Sequence, residues 1–360
     1  MRRYVRPRYA IADRIFIAEL PGRPLPKAIA GPGLLSQVVI DKYVDHLPVY
    51  RQAKRFEREG FRLPVTTLTD WVSGSCELLE PLYEAQRRLV LTSGYLQADE
   101  TPIRVLDRDK KGDTHRGYHW VYHAPVEGLV LFDYREGRGR EGPDDCLNGF
   151  SGYLQTDGYA VYDAYARKPG VTLLHCMAHA RRQFEQALDS DKARASYAMT
   201  EIQKLYAIEA QARKQGLAAA ERYELRQRES VPLLAALGKW MEQTYQTVLP
   251  KSPLGKAIAY CLPRWERLSF YTRDGILEID NNLVENAIRP VALGRKNYLF
   301  AGSHQGARRA AMLYSFLGTC KLHQVNPFEW LTTTLAKLPD YNLQQIGELL
   351  PHRFKRVTSS

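Results

Sequence analysis

Gly94-Tyr95-Leu96-Gln97-Ala98-Asp99 and Gly152-Tyr153-Leu154-Gln155-Thr156-Asp157 agree at five of six positions. Each reads as a short strand, and side chains alternate along a strand, so Tyr, Gln and Asp share one face in both copies. Each strand is expected to end at its Asp, before a turn. If the two lie side by side and parallel, Asp99 and Asp157 meet at one edge of a sheet. Carboxylates that close repel and raise each other's pKa unless a cation neutralises them. Such a pair suits Mg²⁺, which is held by one or two carboxylates together with substrate phosphates. Each Asp also has a purely structural reading. Asp157-Gly158 is a common hairpin-turn dipeptide, and Asp99-Glu100-Thr101-Pro102 can cap a strand and open a turn. A turn, however, does not require the same residues before it.

Working outward, strands are expected at 95–99, 118–123, 129–134, 153–157 and 171–174, the second and third joined by a turn at 124–128. A helix over 177–188 follows, and the period stays helical from 191 to 268. Asp274-Gly275 marks a turn, 276–279 is a short extended piece, and a helix starts near Asn281. Upstream, residues 33–92 read as helical. Within them a basic helix at 51–59 ends at Gly60, and a short second helix restarts at 66–71. This is the outline of a helix-turn-helix, which would offer Thr66, Thr67, Thr69 and Asp70 to DNA. The other reading is a helical hairpin that packs or dimerises. Residues 1–32, rich in Pro, Gly and Arg, read as an extended basic arm, and 319–360 as a helical tail with Pro breaks.

A third carboxylate lies in Asp280-Asn281-Asn282-Leu283-Val284-Glu285-Asn286-Ala287-Ile288-Arg289-Pro290. Leu283, Ala287 and Ile288 give this helix an apolar face, and Pro290 is expected to stop it. Glu285 can serve a capping arrangement with Asp280 or Asn282 as N-cap. The functional alternative sends it to the two Asp residues as a further ligand. Arg289, Arg295, Lys296, Arg308 and Arg309 crowd this region, and Glu285 is the only acid between 281 and 310. A basic strip beside carboxylates suits a site that handles phosphodiesters.

Composition agrees. The chain of 360 residues carries 51 Lys and Arg against 40 Asp and Glu, a net charge of +11. That excess points to a polyanionic partner. No apolar stretch approaches the roughly 18 residues of a membrane span, and the basic N-terminus is interrupted by Asp13, Arg14 and Glu19. A cytoplasmic, nucleoid-associated protein with no membrane partner is expected. The cysteines Cys76, Cys146, Cys176, Cys261 and Cys320 are scattered without a C-x-x-C pair, which argues against disulfides and a four-cysteine zinc site. His175-Cys176-Met177-Ala178-His179 contains soft ligands, but a closed zinc site needs four. Cys176 is therefore expected in the core, with His179, Arg181 and Arg182 facing the site or DNA. No G-x-x-x-x-G-K-[ST] loop suggests ATP dependence.

Together these strings carry a family resemblance. Asp41-Lys42-Tyr43-Val44-Asp45-His46-Leu47-Pro48, Ala98-Asp99-Glu100-Thr101-Pro102, Thr156-Asp157-Gly158-Tyr159, His179-Ala180-Arg181-Arg182, Asp280 to Asn286 and Gly294-Arg295-Lys296-Asn297-Tyr298-Leu299-Phe300-Ala301-Gly302-Ser303 resemble the insertion-sequence-66 family of DDE transposases (TnpC-like). The resemblance runs from Tyr4-Val5-Arg6-Pro7 to Asn326-Pro327-Phe328-Glu329-Trp330-Leu331. It implies an α/β fold with a ribonuclease-H-like mixed sheet. The core would comprise 93–190 and 276–318, interrupted by a helical insertion at 191–275 and preceded by the helical domain 33–92. It further implies Asp99, Asp157 and Glu285 as an acidic triad holding two Mg²⁺ ions, with Mn²⁺ as a substitute. The implied activity is cleavage and strand transfer of DNA, on the element's terminal repeats and a target duplex. A homo-oligomeric synaptic complex and accessory proteins of the same element go with it. Arg289, Arg295, Lys296, His179, Arg181, Arg182, Thr66 and Thr67 are the expected DNA contacts. Family members usually carry a cysteine zinc-binding module before the Tyr-Val-Arg-Pro string, and Tyr9-Ala10-Ile11-Ala12-Asp13 carries no cysteine. The alternative function is a non-catalytic DNA-binding protein derived from a truncated transposase. A generic ribonuclease-H-type nuclease acting on RNA ranks last.

Overall fold

The computed structural model describes residues 7–17, 23–26, 28–106 and 113–355. Much of the expected N-terminal arm, including Tyr4-Val5-Arg6, lies outside the described residues. Strands β1 (Arg8–Ile11) and β2 (Arg14–Ile17) form a small antiparallel hairpin. The main sheet comprises β3 (Tyr95–Leu106), β4 (Thr114–Ala124), β5 (Leu129–Arg135), β6 (Gly152–Thr156) and β7 (Val171–His175), in the order β5-β4-β3-β6-β7. β3, β4 and β5 are antiparallel neighbours, whereas β6 and β7 run parallel to β3.

The echoed segments pair with each other in register: Tyr95 faces Tyr153, Leu96 faces Leu154 and Gln97 faces Gln155. The glycine of the second copy also has a steric cause. Gly152 has φ +138°, and a Cβ there would lie 2.3 Å from the Gly94 carbonyl oxygen, which accepts the Tyr153 N–H at 2.9 Å.

β3 does not end at Asp99, as the sequence suggests. It continues to Leu106 because β4 pairs with it from Gln97 to Leu106, after β6 has stopped. Pro102 is tolerated because its nitrogen lies on the edge that β6 has left. Two and four residues later, Arg104 O and Leu106 N use that same edge to bond Ala301.

The helices are α1 (Pro32–Tyr43), α2 (Val49–Arg58), α3 (Val65–Leu91), α4 (Glu141–Cys146), α5 (Met177–Glu185), α6 (Lys192–Gln215), α7 (Ala219–Leu225), α8 (Val231–Tyr245), α9 (Pro253–Cys261), α10 (Trp265–Ser269), α11 (Asn282–Tyr298), α12 (His304–Leu322) and α13 (Pro327–Lys337). The helix after Gly60 is not short. α3 has 27 residues, and Leu68, Trp71, Val72, Leu79 and Leu82 place it in the core shared with α1, α12 and α13. Burial of this long stripe carries the helix past the expected stop. Residues 276–279 form no strand, since Arg222, Arg226 and Gln155 occupy their carbonyls or side chains instead. Pro290 does not stop α11. It removes one backbone bond, to Asn286, while buried Val284, Val291 and Gly294 hold the helix on the core.

On one sheet face, Ile103, Val105, Val121 and Phe132 meet α3 and α12, and Tyr95 and Leu174 meet α5, α6, α8 and α9. On the other, Leu96, Ala98, Trp120, Tyr122, Leu154 and Leu173 pack against Cys146, Tyr162 and Tyr165. Among the described residues no helix is long and apolar enough to cross a membrane.

Candidate active site

In-register pairing of β3 with β6 brings the echoed acids to one edge. Asp99 and Glu285 line a cleft of about 540 Å³ together with Glu100, His179, Arg182 and Arg289. Asp157 follows the last residue of β6, close enough that its charge acts on Asp99, Glu100 and His179. Burial pushes the Asp99 carboxyl up to about 8, with repulsion from Glu100, Asp157 and Glu285 adding to it. A buried cluster of mutually repelling acids has this signature, and Glu100 alone of them is paired with a cation, Arg138, among the described residues. The Asp157 side chain accepts the Tyr159 N–H at 2.8 Å. This is an Asx turn leading into a 3₁₀ helix over Ala160–Arg167, not the hairpin that Asp157-Gly158 also allows.

Glu285 does not cap its helix. The α11 N-cap is Asn281, without a side-chain cap bond. Instead Asp280 accepts Asn282 N at 3.1 Å and Asn282 Nδ2 at 2.8 Å, along with Tyr206 OH at 2.8 Å. The Glu285 carboxylate is thereby left to the cleft.

How the Glu285 segment is held explains Tyr95 and the two glutamines of the echo. Gln97 donates to the Asp280 carbonyl at 2.9 Å and accepts the Val284 N–H at 3.2 Å. Gln155 donates to the Glu278 carbonyl at 2.9 Å, and Tyr95 OH accepts the Glu278 N–H at 3.1 Å. Tyr95, Gln97 and Gln155 thus form a buried clamp on the segment that delivers Glu285. From the other side, Arg226 and Glu209, both fully buried, pair at 2.8 Å. Arg226 also donates to the carbonyls of Tyr271, Asp274 and Leu277 at 2.7–2.8 Å. Arg222 bridges Glu209 and Glu278 at 2.8 and 2.9 Å. Sequence reasoning missed Glu209, Arg222 and Arg226. Glu209 has a sequence signal, as the one charge on the otherwise apolar buried face of α6, whereas Arg222 and Arg226 stand in a charge-rich stretch that gives none.

The remaining expected residues separate. His179 sits in the cleft. Burial lowers its pKa, the neighbouring Arg182 adds to that, and Asp157 and Glu285 oppose it. Arg182 and Arg289 line the same cleft. Arg181 pairs with Glu185 at 3.6 Å. Arg295 lines a different cleft, and Lys296 is exposed beside it. Arg308 and Arg309 belong to α12 and are paired with Glu136 and Glu77 at 3.5 and 3.1 Å. Thr66 and Thr67 occupy the first turn of α3, with Thr67 in a groove against Pro24 and Leu25. The Cys176 thiol is pushed up to about 12 by burial, and its sulfur accepts the Asn281 N–H at 3.4 Å. It is a packing contact beneath the α11 start.

Comparison with known proteins gives the family. Residues 27–309 match the profile described as Transposase IS66 family, and residues 315–352 match the IS66 C-terminal element. Uncharacterized protein y4hP of Sinorhizobium fredii is 32% identical over 382 residues, which cover 99% of this chain and 68% of that protein. Uncharacterized protein y4qI of the same organism is 34% identical over 371 residues, covering 97% of this chain and 68% of its own length. The first profile spans both echoed strands, the clamp and the acid-bearing start of α11, so the chain belongs to the IS66 family of transposases.

Proposed function

We propose that the chain cuts DNA at the ends of its insertion sequence and joins the freed 3′ ends to a target duplex. The observation that carries this reading is the parallel register of β3 and β6, which brings Asp157, the residue after β6, close enough to act on Asp99, while Glu285 lines the same cleft as Asp99. Among the described residues, no three acidic, histidine or cysteine side chains converge as they stand on one ion. The donor chemistry nevertheless fits hard divalent cations, because all three groups are carboxylates and the Asp99 carboxyl, with its pKa pushed up to about 8, makes no ion pair among the described residues. Asp99, Asp157 and Glu285 would hold Mg²⁺, or Mn²⁺ in its place. When bound, such ions supply activation of the attacking oxygen and stabilisation of the leaving 3′ oxygen.

The chain's own groups do the rest. Arg182 and Arg289, on opposite helices of the cleft, bind the phosphates flanking the scissile bond, and His179 adds a polar contact. The Tyr95-Gln97-Gln155 clamp holds Glu285 to the aspartates. In this reading the sheet and its flanking helices are a ribonuclease-H-like core, supported by the mixed sheet in which Asp99 lies within β3 and Asp157 directly follows its parallel neighbour β6. Residues 191–275 are an insertion that braces the Glu285 segment through Arg222 and Arg226. Two element ends are synapsed in a homo-oligomer, with accessory proteins of the element assisting.

Thermal melting checks the metal reading without any DNA. Mg²⁺ or Mn²⁺ is expected to raise Tm, more at pH 8.5 than at pH 5.5, because binding must displace the Asp99 proton at the lower pH. Asp99→Asn is expected to lose most of that shift. Absence of a metal-dependent shift in the wild-type chain at both pH values would contradict the ligand assignment.

A further inference from the structure

A second cleft, of about 870 Å³, lies along the edge of β3 beyond the acids, lined by Pro102, Arg104, Arg116, Arg295, Leu299 and Phe300. Arg104 and Arg116 are exposed, and Arg295 is half-buried. Among the described residues none of the three has a carboxylate partner. Arg104 donates to Thr114 Oγ1 at 3.3 Å, Arg116 lies 5.6 Å from the Tyr118 ring centre, and Arg295 donates to the Pro102 carbonyl. Burial lowers the pKa of Arg295, opposed only by the phenols of Tyr298 and Tyr314 and by no carboxylate. A guanidinium anchored in this way and left uncompensated is a site for an anion with forked acceptors.

Two rulers set its distance from the acids. Arg295 is ten residues beyond Glu285 on α11, about 15 Å at the helical rise. Arg104 is five residues beyond Asp99 on β3, about 17 Å along the strand. For a duplex whose axis lies along this direction, the phosphates of one strand advance by about 3.4 Å of axial rise per nucleotide. We propose that Arg104, Arg116 and Arg295 form a second phosphodiester site that grips a DNA backbone about four or five nucleotides from the bond held at Asp99, Asp157 and Glu285. The distance rests on the proposed function, whereas the existence of the site does not. The apolar wall of Leu299 and Phe300 faces the sugars between phosphates, and the DNA is either the element end or the target.

The test is binding by the full chain in EDTA, as a function of salt, to a labelled duplex carrying the flanking element end and to an unrelated duplex. In Arg104→Gln/Arg116→Gln, the slope of log affinity against log salt is expected to fall by about 2, near 0.9 for each phosphate no longer neutralised. Both side chains are exposed, so an unchanged urea midpoint checks folding. A fall on the end duplex alone assigns the site to the element end, and a fall on the unrelated duplex alone assigns it to the target. Where the site holds the element end, a neutral methylphosphonate about four or five nucleotides from that end should weaken wild type more than the double variant, which keeps only Arg295. An unchanged slope on both duplexes, or no DNA binding by wild type, overturns the proposal. Asp157→Asn should keep the wild-type slope. If no strand cleavage is found while the arginine variant still loses slope, the catalytic reading fails and the second site stands.

Discussion

Asp99→Asn is expected to unfold later than the wild type above pH 8, by about 1–3 kcal/mol, while losing strand cleavage by roughly a thousandfold or more. The stability gain follows from the cluster. Burial and three neighbouring acids push the Asp99 carboxyl from an ordinary 3.8 to about 8. Between those values the folded chain retains a proton that the unfolded chain has released, so each rise in pH through this window costs the wild type stability. Asparagine does not titrate, and the difference closes toward pH 4. Loss of cleavage follows because the amide cannot replace a charged oxygen ligand. Paired urea titrations at pH 5 and pH 9, beside a nicking assay, check both halves. A variant less stable than wild type at pH 9 would show that the acids are not a repulsive cluster.

Arg226→Met is the second large effect. It leaves Glu209 buried with only Arg222 and strips hydrogen bonds from the Tyr271, Asp274 and Leu277 carbonyls. Breaking a buried pair by removing one partner costs about 3–5 kcal/mol. Although burial opposes ionisation of Glu209, hydrogen bonds from Arg226 and Arg222 hold its pKa below the ordinary carboxylate value. Replacing both partners, as Arg226→Met with Glu209→Leu, should recover much of the loss, because no buried charge is then stranded. The double variant still lacks the clasp on the Glu285 segment, so its stability should recover further than its cleavage. Denaturant midpoints and nicking rates on the two variants measure this split.

The sequence made the middle of the fold legible because two matching patterns had to be neighbours. The echo places β3 and β6 side by side, and the structure pairs them residue for residue. The five strands of the main sheet and the turn after Ala124 also follow from local alternation. What local pattern could not show was pairing at a distance. β3 outruns Asp99 because β4 supports it, and Pro102 is harmless only because the neighbouring edge is open there. α11 continues through Pro290 because tertiary packing outweighs one absent hydrogen bond. At the site, the acids were readable as a cluster, but the purpose of Tyr95, Gln97 and Gln155 was not. Their partners are backbone groups at 278–284, more than 120 residues away from the nearer strand. The basic strip likewise divides once folded, with Arg289 at the acids, Arg295 in the second cleft, and Arg308 and Arg309 spent on glutamates.

The most direct measurement is a nicking assay on a labelled duplex carrying the flanking element end, in Mg²⁺ or Mn²⁺, with Asp157→Asn alongside. The expected result is a nick with a 3′-OH at the element end, dependent on the metal and absent from the variant, which still binds the duplex. Equal nicking by wild type and Asp157→Asn, or binding by the wild type with no nick in either metal, would contradict a catalytic triad of Asp99, Asp157 and Glu285.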